Sequence, residues 1–259
     1  MAGTSARALL DRLAAQAGLV CVVGAGGKKS TLYRLVQAHA SVGTARVGLS
    51  TTVLSAPPPP SLGGVRLIAK TGELSRSVPP AAANNPLVIF AGESPKPGRL
   101  GGVPPDQLAE LHRRAGFDVT LVKADGARMR LIKAPAEDEP VLPPGATTVL
   151  AVLSIKALGQ ALNETVAHRP ERVAAVTGAV AGEILTTSHL ARLLASEAGA
   201  LQGTGQAEVV PIVNMVDDDA LRARAREVAR EALGLTCRFD RVVLASMTAP
   251  DPIVAIIGR

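Results

Sequence analysis

The sequence predicts an α/β fold, a mostly parallel sheet with helices on both faces. Three observations carry that prediction. Short aliphatic runs alternate with segments of helical period along the chain. Several of those runs are apolar without a break, the pattern of a strand buried on both faces. One run, residues 19–23, drives into Gly24, Gly26 and Gly27, and Lys28, Lys29, Ser30 and Thr31 follow at the start of an amphipathic segment. Strand, glycine-rich turn, cation and hydroxyl, then helix is the layout of a phosphate-binding loop.

Taken in order, residues 5–16 place Leu9, Leu10 and Leu13 on one helical face, and Gly18 ends that segment. The first strand and the loop come next, and a helix begins near Ser30 with Leu32, Leu35 and Val36 at helical spacing. Residues 46–49 read as a strand that ends in Ser50-Thr51-Thr52. Prolines 57–60 exclude helix and inner strand and mark a surface loop. Residues 65–69 and 87–90 are further short strands, and 104–115 is a helix entered on a proline, with Leu108 and Leu111 inward. Residues 118–124 form a strand that runs into Asp125-Gly126, and 147–153 form another. The pattern over 156–206 is mostly helical until Gly203 and Gly205 break it. A strand over 209–213 ends at Asn214, and 217–233 is the clearest helix. Its Leu221, Ala225, Val228, Ala229 and Ala232 face inward and Arg222, Arg226 and Arg230 outward. Residues 241–244 and 253–257 close the sheet. No linker divides the chain, so residues 1–259 read as one nucleotide-binding domain with a helical insertion around 156–206.

Composition removes several function classes. With no Trp, one Tyr and three Phe, the core is aliphatic. The net charge of +6 is scattered rather than clustered, and almost no aromatics are present to stack on bases, so a nucleic-acid partner is not expected. Cys21 and Cys237 lie too far apart for a zinc or disulfide pattern, which suits a reducing, cytoplasmic setting. Arg7, Asp11 and Arg12 interrupt the N-terminal apolar residues, unlike a signal peptide, and no apolar run reaches the roughly 18–20 residues of a membrane span.

The chemistry begins at the loop. Glycines let backbone N–H groups converge on phosphate oxygens, a helix N-terminus adds a favourable field, a lysine neutralises charge and a hydroxyl ligates Mg²⁺. The G-x-x-x-x-G-K-[ST] spacing is not met, because Lys29 stands where the hydroxyl belongs if Gly27-Lys28 is the Gly-Lys pair. Gly24-Ala25-Gly26-Gly27-Lys28 is a compact variant with Ser30 or Thr31 displaced by one, and either lysine can serve the phosphates. A dinucleotide fingerprint fits poorly, since no Asp or Glu occurs between Asp11 and Glu73 to hold a ribose. Asp125, at a strand's C-terminal end, has the position of a Mg²⁺ carboxylate. Asn214-Met215-Val216-Asp217 resembles the N-K-x-D guanine motif, in which the aspartate accepts from the ring N–H and the exocyclic amine together. Asp217 also stands where it can cap the next helix, a compatible role. Ser246, after the strand over 241–244, has the place where GTPases offer a backbone N–H to the base. Loop, hydroxyl pair, metal aspartate, Asn-x-x-Asp and Ala-Ser each follow a strand, the order of a P-loop NTPase-like fold.

Several stretches together resemble the selenium-dependent hydroxylase accessory protein family, YqeC. They are Gly24-Ala25-Gly26-Gly27-Lys28-Lys29-Ser30-Thr31, Ala124-Asp125-Gly126-Ala127, the run from Lys133 to Pro140, Ala157-Leu158-Gly159, His168-Arg169-Pro170 and Asn214-x-x-Asp217. The chain departs from the pattern at Lys123, where relatives often carry Glu, and at Met215, where they often carry Lys. The resemblance implies a nucleotide-binding accessory factor in the maturation of selenium-dependent molybdenum hydroxylases, with such a hydroxylase or its cofactor-maturation proteins as partner. On that expectation the protein is a slow GTPase or ATPase using Mg²⁺. Lys133 then neutralises phosphate or holds an anionic substrate, and Arg169 acts in cis on phosphate. Two alternatives stay open: an ATP-dependent ligase or small-molecule kinase, and a non-catalytic carrier of a phosphate-bearing pterin cofactor.

Overall fold

The computed structural model describes residues 2–259. In chain order its helices are α1 (Ala2–Arg12), α2 (Lys28–Val42), α3 (Thr71–Asn84), α4 (Pro105–Ala115), α5 (Pro170–Thr177), α6 (Thr187–Ala195) and α7 (Asp219–Leu235). Its strands are β1 (Gly18–Gly24), β2 (Val47–Thr51), β3 (Val65–Ile68), β4 (Leu87–Ala91), β5 (Val119–Lys123), β6 (Ile132–Lys133), β7 (Ala146–Ser154), β8 (Ala167–His168), β9 (Glu208–Asn214), β10 (Arg241–Ala245) and β11 (Ile253–Gly258). Nine strands pair in the order β11-β10-β9-β7-β1-β5-β2-β4-β3, and β6 pairs with β8 apart from them.

The sheet is mostly parallel, as the unbroken aliphatic runs predict. The pairs β1–β5, β5–β2, β2–β4, β4–β3 and β9–β10 are parallel, and β11 alone is recorded running against its neighbour β10. Successive strand residues point to opposite faces, so the continuous burial of β2 and of the middle of β1 means that both faces are covered.

Two compact units divide the chain. The first holds residues up to Val22, Leu32–Gly126 and Val141–Thr148; the second holds Val23–Thr31, Ala127–Pro140 and Val149–Arg259. In the first, Phe90 and Phe117 stack at 5.8 Å between ring centres, and Leu35, Leu74, Leu108, Leu111 and Leu121 of the same unit are fully buried. Each such leucine contributes about 1.5–3 kcal/mol by leaving water. His39 is buried there too, its ring nitrogens 2.9 Å from Ala15 O and from Thr44 Oγ1. Burial lowers its pKa, so it acts as a neutral packing group. In the second unit α7 lays Ala225, Val228, Ala229, Ala232 and Leu233 inward, the stripe that its sequence period predicts.

Three elements differ from the sequence expectation. Helix α3 hides behind Pro79 and Pro80, which stand inside it; the buried stripe Leu74, Val78 and Ala82 holds a helix that propensity argues against. The 156–206 stretch is not one mostly helical insertion: its α-helices are α5 and α6, with the two-residue strand β8 ahead of them and turns before, between and after. Gly178, at φ 81°, closes α5 in the left-handed conformation that stops a helix. Helix α2 begins at Lys28, ahead of Ser30. Among the described residues no helix is long and apolar enough to cross a membrane.

Candidate functional site

The phosphate-type loop belongs to the second unit and is pinned by three separate segments. Ala25 N–H donates to Val152 O at 2.8 Å, Gly26 N–H to Arg130 O at 3.0 Å, and Asn214 Nδ2 to Gly26 O at 2.8 Å. The glycines are obligatory. Gly27 has φ 134°, and a Cβ there would lie 2.0 Å from Asn214 Nδ2; one on Gly24, at φ 88°, would lie 2.1 Å from Val152 O. The backbone is therefore held in a concave turn that no side chain can fill. Helix α2 starts directly behind it, and the N–H groups of a first helical turn point out of the helix toward whatever lies at its end.

Position separates the two lysines and the two hydroxyls. Lys28 is buried and its Nζ donates to Gly24 O, so the ammonium folds over the loop. Lys29 is exposed on the outer side of α2. Thr31 is fully buried, its Oγ1 donating to Gly27 O at 3.1 Å, whereas Ser30 is half-buried. Lys28 thus lies over the loop, and Ser30 keeps part of its surface exposed in the first turn of α2. Among the described residues no group of three or more His, Cys, Asp or Glu is placed to hold a metal ion. A nucleotide-borne Mg²⁺ needs no such cluster, since it draws on one or two protein oxygens, phosphate oxygens and water.

The Asn-x-x-Asp segment sits at the end of β9. Asn214 is buried with both ends of its amide engaged: Nδ2 on the loop, and Oδ1 accepting from Met247 N–H at 3.1 Å. Met215 has φ 62°, and its sulfur accepts from Ser154 Oγ at 3.0 Å. Asp217 does not cap the next helix. Asp218 does, its Oδ1 accepting from Leu221 N–H at 2.7 Å. Asp217 is left to receive Lys156 Nζ on Oδ2 at 2.6 Å and Ser246 Oγ on Oδ1 at 2.7 Å, with its side chain 41% exposed. The Lys156 hydrogen bond, then that of Ser246, lowers its pKa below the usual carboxylate range. Ser246 contributes its hydroxyl, not its N–H, which donates to Pro252 O at 2.9 Å.

Lys133 and Arg169 meet at a different carboxylate. Glu139 Oε2 accepts from Lys133 Nζ at 2.7 Å, Arg169 Nη1 at 2.6 Å and Ala136 N–H at 3.2 Å. Burial pushes this carboxyl up, but Lys133, Ala136 and Arg169 together hold it down at about 2. Gln202 Nε2 closes the corner on Ala136 O and Glu139 O. Both cations expected to face phosphate are engaged by the acidic run beside them. His168 is held below its ordinary value by burial and by the charges of Arg169, Lys133 and Arg128, so it is neutral near pH 7.

Asp125 belongs to the first unit. It is buried, two residues past the end of β5, whose last paired residue Lys123 lies opposite Val22 of β1. The Ser50-Thr51-Thr52 hydroxyls close local backbone, donating to Phe90 O, Val53 O and Val141 O at 2.8, 2.7 and 2.6 Å. Cys21 is buried and its thiol is pushed up to about 12, an inert core residue. Lys156 and Ser154 escape motif reading, although Ser154 ends a strand and Lys156 follows it closely, as with the other candidates; the signal was positional, the C-terminal end of β7.

A family model described as YqeC protein matches residues 20–171 of the chain. That range takes in the loop, Asp125, Lys133, Lys156 and Arg169, whereas Asn214, Asp217 and Ser246 lie beyond it. A protein of Escherichia coli (strain K12), described as uncharacterized protein YqeC, is 32% identical over 189 residues, which cover 73% of this chain and 72% of that protein. Among solved structures, the hydrogenase maturation factor HypB from Archaeoglobus fulgidus is similar at a TM-score of 0.40 and 12% identity, over 95% of this chain and 88% of that one.

Proposed function

The chain belongs to the YqeC protein family, and from that premise we propose that it is a nucleotide-binding accessory protein that takes GTP in preference to ATP. The phosphates lie in the turn of Gly24, Ala25, Gly26 and Gly27 against the N-terminus of α2, with Lys28 neutralising their charge and Ser30 offering a hydroxyl to Mg²⁺. Asp217 accepts from guanine's ring N–H and exocyclic amine, a donor pair that adenine lacks. Asn214 holds the loop beneath the base edge.

One observation carries this reading: Asn214 Nδ2 donates to Gly26 O at 2.8 Å. A single buried amide links the end of β9, which carries the base motif, to the turn that cradles phosphate. Turnover is slow on this reading, because Lys133 and Arg169, the expected electrophilic partners of a transferring phosphoryl group, are engaged by Glu139. The task served on this reading is the maturation of selenium-dependent molybdenum hydroxylases, which rests on the family resemblance; the cytoplasmic setting rests on the cysteine usage. The test is a calorimetric titration of the full chain with GTP, ATP and CTP, with and without Mg²⁺. Saturable binding of GTP ahead of ATP is expected; no binding of any nucleotide overturns the reading.

A further inference from the structure

Guanine carries an acceptor as well as donors. Its O6 lies beside the ring N–H that an aspartate would receive, and a complete guanine site places a donor against it. Sequence order suggests the backbone N–H at Ser246. The structure engages that group elsewhere: Ser246 N–H donates to Pro252 O, and the next N–H, of Met247, donates to Asn214 Oδ1. A side chain flanking the Asp217 carboxylate can supply the donor instead. Two flank it, one on each oxygen: Ser246 Oγ at 2.7 Å and Lys156 Nζ at 2.6 Å. A hydroxyl has one proton, and that of Ser246 is directed at Asp217. An ammonium has three, so Lys156 can hold Asp217 and still donate to a neighbouring oxygen. Lys156 is also placed rather than loose at its base. Its backbone N–H donates to Ser154 Oγ at 3.2 Å, in the short turn that closes β7, while its side chain stays 47% exposed where a ligand can reach it.

We propose that Lys156 is a base-specificity residue that donates to the O6 of guanine while holding Asp217 in place to accept the N–H pair. This rests on the nucleotide reading above and goes beyond it. Donor and acceptor then stand side by side, complementary to the O6, ring N–H and amine edge of guanine. Adenine, with an amine at position 6 and no ring proton at position 1, meets a like group at each place. The same ammonium takes over the cationic part of Lys in N-K-x-D, a position that Met215 fills here without charge.

The experiment titrates the full wild-type chain and the variants Lys156→Met and Lys156→Arg with GTP, 6-thio-GTP and ITP. Replacing O6 by sulfur weakens the acceptor and keeps the ring N–H and the amine, whereas ITP keeps O6 and lacks the amine. Wild type should prefer GTP over 6-thio-GTP by roughly tenfold, as for loss of one charge-assisted hydrogen bond. In Lys156→Met that preference should collapse toward unity while the preference for GTP over ITP persists, and Lys156→Arg should restore much of it. If Lys156→Met weakens GTP and 6-thio-GTP equally, or keeps the wild-type ratio, Lys156 is only a counter-ion and the proposal fails while the nucleotide reading stands. Wild type that binds none of the three overturns both.

Discussion

Two carboxylates in the second unit are each gripped by cations, and they are built for different ends. Glu139 is 12% exposed and receives Lys133, Arg169 and a backbone N–H on one oxygen, with the Lys133 side chain fully buried. Asp217 is 41% exposed and receives one partner on each oxygen, with water in reach. The first is a largely buried knot with three donors on a single oxygen. The second is an open arrangement in which lone pairs remain for a ligand. An ion pair alone therefore does not mark a binding residue; exposure and unused hydrogen-bonding capacity do.

The sharpest way to break the contrast is to delete each carboxylate in turn. Glu139→Ala takes the carboxylate away from the buried Lys133 ammonium and should cost about 3–5 kcal/mol in urea unfolding. Asp217→Ala, at an exposed pair, should change stability by no more than about 1 kcal/mol. Equal losses would mean that Asp217 is structural too. Acid sharpens the same difference. The Glu139 carboxyl is held at about 2 against an ordinary 4.5, so the unfolded chain takes up its proton first as pH falls. Its contribution is complete above about pH 5 and is lost as pH falls toward 2. Thermal midpoints of wild type should fall over that window more steeply than those of Glu139→Gln, and parallel curves would contradict the assignment.

Binding should respond in the opposite order. Gly27→Ala puts a methyl on the Asn214 amide at a φ that side chains rarely adopt, so GTP affinity should drop at least roughly tenfold in an equilibrium titration. Affinity unchanged by that substitution would detach the loop from the site. Asp217→Ala should reduce the GTP-to-ATP preference by about tenfold, the loss of a paired hydrogen bond, with little change in ATP affinity. The smallest effect concerns thiols. In the native chain a thiol reagent should label exposed Cys237 and leave buried Cys21 untouched until unfolding; early labelling of both would contradict a closed core around β1.

Much of the fold was legible because parallel strands announce themselves. The runs that become β1, β5 and β9 are aliphatic on both faces, and each ends where its candidate residue begins. Helix α3 was not legible, since two interior prolines outweigh a three-residue buried stripe in local sequence, and only tertiary packing reverses that. The loop's position was clear from its glycines, but the choice between Lys28 and Lys29 needed the helix start, which sets which side chain turns over the turn. The partners of Asp217 were out of reach for the same kind of reason. Lys156 lies far from it in the chain, and only the strand order carries the end of β7 to that of β9. Lys133 and Arg169 stand out in the sequence as candidates to face phosphate, whereas the structure pairs both with Glu139 of the acidic run, an association that charge alone leaves undecided.

Competition binding tests the base-reading corner most directly. A fluorescent GTP analogue bound to the full chain in Mg²⁺ is displaced by unlabelled GTP, ATP and CTP. Displacement by GTP at concentrations about tenfold below those needed for ATP, with that gap lost in Asp217→Ala, is the result expected from one paired hydrogen-bond readout. Equal displacement by all three nucleotides, or a gap unchanged in Asp217→Ala, would contradict it.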